Sequence, residues 1–337
     1  MKVERPDTDA REKRPASTAK PRTILLLHGR NDKPKRLVLQ TLWTRAIRHG
    51  LTRDRPEALD AFDAADVGLI YYGDLSAAWL DHYAEKTGTA RKTYDHAWDV
   101  ADREASIDRL MQRPAEDFTR SGYARMRGES PLYEAVADFL EHPLRLLGLG
   151  ERAVQAYAPE MAEYWADVHF GSDLRLVATD ALQVAMERES ERGGEIALLS
   201  HSLGTLIAYD VAWKLSHYGE YRRMAWNRPI DLFVTMGAPL GNSTIRSRLK
   251  GAGVPVEFRY PTNIRQWHNL AAEDDIIAHD EDLANDFAGS GLSITDHRIY
   301  NPAIRRGRVN PHYGAGYLLN PVTANLLADW LLGNATR

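Results

Sequence analysis

The chain has 337 residues, 44% hydrophobic and 27% charged, which is a globular composition with room for one large domain and insertions. Its formal net charge of -4 argues against a general nucleic-acid-binding protein, so we expect no nucleic-acid partner. The absence of cysteine excludes disulfides, thiolate metal sites and cysteine nucleophiles. No apolar run has the length of a membrane span and the N-terminus has no apolar signal core, so we expect a cytoplasmic protein.

The first part of the chain predicts a tail followed by a strand, a helix and a strand. Residues 1–21 are rich in charged residues, proline and threonine, which predicts a disordered tail ahead of a domain over residues 22–337. The apolar run at 23–29, ended by glycine, predicts a strand buried on both faces. Residues 34–49 have the apolar spacing of an amphipathic helix, and residues 66–72 read as a second strand.

Residues 75–165 differ in character from the segments around them. They combine many aromatic side chains with many charges and show no strand pattern. We predict several helices here, among them 76–86, 131–142 and 151–167, inserted between strands of a sheet. Such an insertion could cover a site as a lid, or its aromatic side chains could simply form its own core.

The rest of the chain alternates between strands and helices. The patterns predict strands at 196–199, 229–236 and 263–270, helices at 173–192, 203–216, 243–250, 282–288 and 317–332, and a loop-rich stretch before the last helix. Strands that alternate with helices predict an α/β fold, with a mostly parallel central sheet and helices on both faces. In such sheets the functional groups collect beyond the carboxyl ends of the strands.

Ser202 lies in a sharp turn between the strand at 196–199 and the helix that begins near Leu203. A serine in such a turn projects its hydroxyl away from the sheet, and the helix N-terminus behind it offers unpaired N–H groups and a partial positive charge. A nucleophile that forms an oxyanion needs these features. The alternative is a small residue that merely fits a tight turn.

A serine hydroxyl needs a base to take its proton, and the base needs an acid to orient it. The chain offers Ser202, Asp275 and His312 in that order, with His312 in the loop before the last predicted helix. Asp274 is the alternative acid. It is adjacent to Asp275, and only one of two neighbouring carboxylates can point at the histidine.

Other histidines compete with His312 for the role of base. We expect His201 to pack beside the serine, His28 to brace the loop after the first strand, and His268 to lie in a strand. His279 and His297 are the stronger rivals, but His279 is close to the acid in sequence and His297 lies in a strand-like stretch.

Five short segments resemble parts of one known family. Ser-His-Ser-Leu-Gly at 200–204 resembles the G-x-S-x-G nucleophile turn, and Leu-Leu-Leu-His-Gly at 25–29 resembles the strand and turn that supply an oxyanion hole. Met-Gly-Ala-Pro at 236–239, the acid-bearing segment at 269–278 and Asn-Pro-His-Tyr at 310–313 resemble later motifs. Together they make the chain similar to the α/β-hydrolase superfamily, of the lipase/esterase-like type.

The resemblance covers about residues 22–74 and 170–335 and implies an α/β-hydrolase fold. It also implies a serine hydrolase that cleaves carboxylic esters through an acyl-enzyme. Ser202 would attack the acyl carbon, and His312 would transfer the proton. Asp275, which we prefer to Asp274 because it fits the family pattern better, would hold the histidine. The backbone N–H groups of Leu203 and Arg30 would bind the oxyanion.

The sequence departs from the family pattern at Ser200, which replaces the first glycine of the turn, and we expect strain there. The substrate class stays open. A small-molecule acyl ester is the first choice, with a lipid as one option. The alternatives are a lipase, phospholipase, thioesterase or peptidase on the same site, or a non-catalytic binding protein that keeps the fold.

We expect neither a metal nor a cofactor. An acidic run beside a histidine invites a metal interpretation, but no known ligand spacing is met in Glu273, Asp274, Asp275, His279, Asp280, Glu281 and Asp282. The phosphate-binding G-x-x-x-x-G-K-[ST] motif and the dinucleotide fingerprint are both absent from the sequence.

Overall fold

Runs of leucine, isoleucine and valine form the central sheet of the protein. The computed structural model describes residues 20–88, 90–91, 93–129, 159–221, 228–278 and 282–334. Within these ranges, six strands pair in the order β2-β1-β3-β4-β5-β6, and every pair is parallel. The strands are β1 (Arg22–Leu27), β2 (Asp66–Ile70), β3 (Glu195–His201), β4 (Ile230–Met236), β5 (Ile264–Ala272) and β6 (Ile294–Ile299).

Helices follow most of the strands and cover both faces of the sheet. They are α1 (Arg36–Asp54), α2 (Leu59–Ala64), α3 (Gly73–Thr87), α4 (His96–Met111), α5 (Arg120–Glu129), α6 (Pro159–Ala166), α7 (Val168–Arg192), α8 (Leu203–His217), α9 (Ser243–Arg246), α10 (Leu283–Asp286), α11 (Gly314–Leu318) and α12 (Pro321–Leu332). Short 3-10 turns lie at Pro56–Ala58, Ala115–Phe118, Pro239–Gly241, Val256–Phe258 and Ile276–Ala278. An antiparallel hairpin, β7 (Ile304–Arg305) and β8 (Arg308–Val309), lies outside the sheet.

Two apolar cores lie on opposite faces of the sheet. Successive residues of a strand point to opposite faces, so Leu25 and Leu27 belong to one core and Ile24 and Leu26 to the other. Helices α3, α6, α7 and α8 contribute to the first core, and α1, α2, α4, α11 and α12 contribute to the second. The predicted α/β architecture, with a parallel sheet and helices on both faces, is confirmed.

The prediction of five strands was wrong, because β6 joins the sheet beside β5. In β6 only Ile299 is fully buried, since the strand lies at the edge of the sheet. Edge strands do not need a continuous apolar run. The stretch predicted as loop-rich therefore contains both β6 and the β7–β8 hairpin.

The predicted helix at 317–332 is two helices, α11 and α12. Asn320 caps α12, because its side chain accepts a hydrogen bond from the N–H of Val322. Pro321 follows at the first position of α12, where its missing N–H costs nothing. A cap followed by proline separates two helices that an apolar pattern reads as one.

Some predictions fall wholly or partly outside the described residues. They concern the tail at 1–19, the helix at 131–142 and most of the helix at 151–167. In the ranges that the structure does describe, no helix is both long enough and apolar enough to cross a membrane.

Candidate active site

The turn between β3 and α8 holds Ser202 in a strained conformation. Its φ of 57° and ψ of -128° lie in a region that residues with a side chain rarely adopt. Neighbouring hydrogen bonds fix this backbone. The Ser202 N–H donates to the carbonyl of Met236 at 3.0 Å, and the Thr205 N–H and hydroxyl donate to the Ser202 carbonyl at 2.9 and 2.7 Å.

Two glycines give the turn the space that it needs. A Cβ on Gly29 would lie 2.7 Å from the Cβ of Ser202, and a Cβ on Gly204 would lie 2.5 Å from the carbonyl oxygen of His28. Both approaches are closer than atoms tolerate. The loop after β1 and the start of α8 can therefore meet at Ser202 only with glycine at these positions.

Ser200 is accommodated without strain, contrary to the expectation from the sequence. It is a regular residue of β3, paired in register with Leu27 and Thr235, and its φ is not positive. Its side chain is buried, and its hydroxyl donates to the carbonyl of Val234 at 3.4 Å. The strained backbone lies two residues later, at Ser202.

The structure brings Ser202, His312 and Asp275 together in one hydrogen-bonded chain. The Ser202 hydroxyl donates to Nε2 of His312 at 2.8 Å. Nδ1 of His312 donates to Asp275, at 2.8 Å to Oδ2 and 3.0 Å to Oδ1. Ser202 and Asp275 are almost buried, whereas the His312 side chain is 24% exposed. In this arrangement His312 can accept a proton from Ser202 while Asp275 fixes its tautomer.

Asp275 is held ionised by the groups around it. The Tyr317 hydroxyl donates to its Oδ2 at 2.6 Å, and the Ile277 N–H donates to its Oδ1 at 3.0 Å. Burial alone would raise the pKa of Asp275, but the attraction and hydrogen bonds from His312, with that of Tyr317, lower it. Gly237 allows this packing, because a Cβ there would lie 3.0 Å from Oδ2 and its φ is 58°.

Asp274 points away from His312. Its carboxylate pairs with Arg127 of α5 at 3.1 Å and accepts from the Tyr123 hydroxyl of the same helix at 3.3 Å. Its backbone has a positive φ of 66°, which turns the two neighbouring carboxylates in different directions. Of the two candidate acids, the structure therefore brings Asp275, and not Asp274, to His312.

The loop that carries His312 is anchored on both sides. Nε2 of His201 donates to the carbonyl of His312 at 2.8 Å, and the two rings lie 4.7 Å apart. The Asn301 side-chain amide donates to the carbonyls of Pro311 at 2.7 Å and Tyr313 at 3.1 Å. Burial, together with the neighbouring His312, holds the pKa of His201 well below its ordinary value. His201 therefore acts here as a neutral hydrogen-bond donor.

His28 braces the loop after β1. Its Nε2 accepts from the Tyr72 N–H at 3.1 Å, so Nδ1 carries the proton and donates to the carbonyl of Gly29 at 2.7 Å. The Tyr72 hydroxyl donates to the His28 carbonyl at 2.6 Å. This loop leads to Arg30, one of the two predicted oxyanion-binding positions. The other is Leu203, whose N–H lies in the first turn of α8 and so has no partner within that helix.

Glu160 of α6 also holds this loop, although no sequence motif points to it. Both of its carboxylate oxygens accept from the N–H of Asn31, at 2.8 and 3.1 Å. The Lys33 ammonium donates to the carbonyls of Arg30 and Asn31. Burial raises the pKa of Glu160. Burial and the adjacent Arg103 lower the pKa of Lys33 to about 7.

Two of the competing histidines, His268 and His297, contact each other and do not hydrogen-bond to Ser202. Nδ1 of His268, in β5, lies 2.9 Å from Nε2 of His297, in β6. Burial lowers the pKa of both, which favours neutral rings, one of which donates to the other. His279 lies outside the described residues.

A cavity of about 820 Å³ opens beside Ser202, His201 and His312. Its apolar lining includes Trp43, Ile277 and Val309. Among the residues that the structure describes, five arginines and Lys33, which is only partly protonated at neutral pH, line it: Arg30, Lys33, Arg103, Arg305, Arg306 and Arg308. The described part of the lining contains three carboxylates, those of Asp32, Asp274 and Asp275.

The described part of the chain has no cluster of three or more histidine, aspartate or glutamate side chains that could hold a metal ion. Three members of the acidic run, at 279–281, lie outside that part.

No protein-family model, no curated protein and no solved structure matches the chain. The function is therefore inferred from the geometry and chemistry of the site itself.

Proposed function

We propose that the protein is a serine hydrolase of the α/β-hydrolase type that cleaves carboxylic esters. One observation carries the proposal. The Ser202 hydroxyl, the His312 ring and the Asp275 carboxylate form a continuous hydrogen-bonded chain at the edge of a cavity. Serine, base and orienting acid within hydrogen-bond reach are what nucleophilic acyl transfer requires.

Acylation would begin when Ser202 Oγ attacks the acyl carbon of the ester. His312 Nε2 takes the hydroxyl proton, and the ionised Asp275 stabilises the imidazolium that forms. The backbone N–H groups of Leu203 and Arg30 donate to the oxyanion of the tetrahedral intermediate. The intermediate collapses, the ester C–O bond breaks, and His312 returns the proton to the departing alcohol.

Deacylation would repeat these steps with water as the nucleophile. His312 takes a proton from water, and the hydroxide attacks the acyl carbon of the acyl-enzyme. The bond to Ser202 Oγ then breaks, the proton returns to Oγ, and a carboxylic acid leaves. The site thus regains its starting protonation state.

The topology supports the α/β-hydrolase assignment. In that fold the nucleophile lies on a strained turn between strand and helix, and the triad follows the chain order serine, acid, histidine. Here Ser202 has a positive φ between β3 and α8, Asp275 follows β5, and His312 follows β6. The loop after β1 approaches Ser202 closely enough to complete an oxyanion hole.

Ser202→Ala tests the proposal, and Ser200→Ala is its matched control. We expect Ser202→Ala to lower kcat for p-nitrophenyl butyrate by at least about a thousandfold, because the nucleophile is lost. Ser200→Ala removes an equally buried hydroxyl two residues away and should retain turnover. Circular dichroism and the melting temperature would show that both variants fold.

A fluorophosphonate probe, followed by peptide mapping, identifies the reactive serine independently. Labelling should fall on Ser202 in the wild type and in Ser200→Ala. Full turnover by Ser202→Ala would contradict the proposal. A folded wild type that neither hydrolyses esters nor reacts with the probe would instead indicate a non-catalytic binding protein.

A further inference from the structure

Cationic side chains from three elements meet in the cavity beside Ser202. We call them the cationic wall: Arg30 and Lys33 of the loop after β1, Arg103 of α4, and Arg305, Arg306 and Arg308 of the β7–β8 hairpin. Apart from the loop after β1, these groups play no part in the ester chemistry proposed above. Their convergence needs its own explanation, because like charges in one cavity repel each other.

The hairpin supplies half of the wall by its geometry. Arg305 and Arg308 are directly opposed in the antiparallel pair. Arg306 and Gly307 form the two-residue turn between them, both with positive φ, at 53° and 70°. Such a tight turn holds three guanidinium groups within four residues.

Carboxylates of α4 fix the wall from outside the cavity. Asp99, which is 1% exposed, contacts Arg305 at 2.9 Å and Arg103 at 2.5 Å. Asp102 contacts Nε of Arg305 at 2.8 Å. Neither carboxylate lines the cavity. Arg103 and Arg305 are therefore held in place, with the balancing negative charge behind them.

The carboxylates in the described lining of the cavity already have partners. Asp32 pairs with Arg91, Asp274 pairs with Arg127, and Asp275 accepts hydrogen bonds from His312 and Tyr317. The surface that a ligand would meet is thus dominated by cations.

Arg305 is a buried member of the cationic wall. It is only 7% exposed, and its Nη1 has no hydrogen-bond partner in the described part of the chain. A buried donor left unpaired is costly, whereas an anionic acceptor forms a strong, charge-assisted hydrogen bond with a guanidinium. Arg308 is exposed near the end of the hairpin and lines the cavity, and no residue that the structure describes forms an ion pair with it.

We infer that the natural ester carries an anionic group, a carboxylate or a phosphate, which the cationic wall holds while the ester carbonyl meets Ser202. This inference rests on the proposed function and narrows its substrate class. The apolar lining at Trp43, Ile277 and Val309 suits a short carbon chain between the two groups. A cavity of about 820 Å³ accommodates a small molecule of this kind.

Three p-nitrophenyl esters test the inference. One is the neutral valerate, one is the half-ester of glutarate, and one is the ester of a phosphorylated hydroxybutyrate. We expect kcat/KM to be about tenfold higher or more for at least one anionic ester, since a charge-assisted contact is strong enough for that factor. The better of the two anionic esters identifies the group as carboxylate or phosphate. Equal or faster turnover of the valerate would overturn the inference.

Arg308→Ala shows whether the hairpin is responsible, with Arg265→Ala as its control. Arg265 is another exposed arginine, but it lies at the start of β5, at the opposite end of the sheet. Arg308→Ala should lower the ratio of anionic to neutral kcat/KM by about tenfold, and added salt should lower the wild-type ratio. Arg265→Ala should keep the wild-type ratio. An unchanged ratio in Arg308→Ala counts against the cationic wall.

Calorimetry with Ser202→Ala separates this inference from the proposed function. This variant should bind the preferred anionic ester intact and more tightly than the valerate, and added Arg308→Ala should remove the preference. If binding keeps the preference but the wild type hydrolyses none of the esters, the proposed chemistry fails. If the valerate is hydrolysed and no preference for an anion appears in either assay, the inference about the substrate fails alone.

Discussion

At the scale of single residues, the site depends on a few backbone conformations that most residues avoid. Ser202 has a φ of 57°, and a residue held in such a region costs about 1–3 kcal/mol. The hydrogen bonds to Met236 and Thr205 keep it there. The strained backbone of Ser202 lowers the stability of the fold, but it orients the hydroxyl towards the ring of His312.

The two adjacent aspartates give a sharp prediction at this scale. Asp275→Asn should lower kcat roughly ten-thousandfold, because an amide cannot hold the His312 tautomer or stabilise the imidazolium. Asp274→Asn is the matched control and should cost less than about tenfold, since the contacts that it weakens, with Arg127 and Tyr123, do not hold His312. The measurement is kcat for p-nitrophenyl butyrate, with melting temperatures to check folding. Similar losses in both variants would refute the assignment of Asp275.

The two aspartates show which part of the site can be predicted from the sequence. Residue type and chain order predict Ser202, His312 and both carboxylates as candidates. The direction of each carboxylate depends on the positive φ of Asp274 and on its contacts with α5, which lies far away in sequence. No local pattern encodes such a contact.

At the scale of elements, α4 and the β7–β8 hairpin are joined through the carboxylate of Asp99. Burial alone would raise the pKa of Asp99, but Arg103, Arg305 and Tyr94 lower it to about 2. An unfolded chain has an aspartate pKa of about 3.9. The ionised carboxylate therefore stabilises the fold by about 2 kcal/mol above pH 5, and this contribution is lost as the pH falls towards 2.

We accordingly expect Asp99→Asn to lower the free energy of unfolding at pH 7 and to flatten its decline between about pH 5 and 2. Asp108→Asn, on the same helix, removes an exposed partner of Arg45 and should change stability by less than about 1 kcal/mol. Urea unfolding at a series of pH values measures both. A decline in Asp99→Asn as steep as that of the wild type would contradict the prediction.

Elements with strong apolar patterns were predictable, and elements with weak ones were not. The buried strands β1, β3 and β4 are predictable because each is a run of apolar residues. β6 does not, because only one of its residues is fully buried. The strands of the β7–β8 hairpin are two residues long, too short to show any alternation, so the cationic wall could not be predicted.

At the scale of the whole molecule, one sheet separates two cores. Leu206 of α8 and Leu327 of α12 are both fully buried, on opposite faces. Each change to alanine should lower the free energy of unfolding by about 2–5 kcal/mol. Because the side chains share no partners, the double variant should lose the sum to within about 0.5 kcal/mol.

Urea unfolding of the two single variants and the double variant measures this additivity. Coincident transitions by fluorescence and circular dichroism would show that both cores melt as one cooperative unit. Two separated transitions would mean that the faces of the sheet unfold independently.

The parallel sheet also has a consequence for folding. The site is assembled from distant parts of the chain: Ser202, Asp275, His312 and the loop after β1. These parts meet only after the strands β1, β3, β4 and β5 have paired in register. Non-local pairings of this kind form late, because loop-closure entropy must be overcome first. During refolding from urea, reactivity of the serine towards a fluorophosphonate should therefore return after the helical signal. The time at which probe reactivity returns would report when assembly of the sheet is complete.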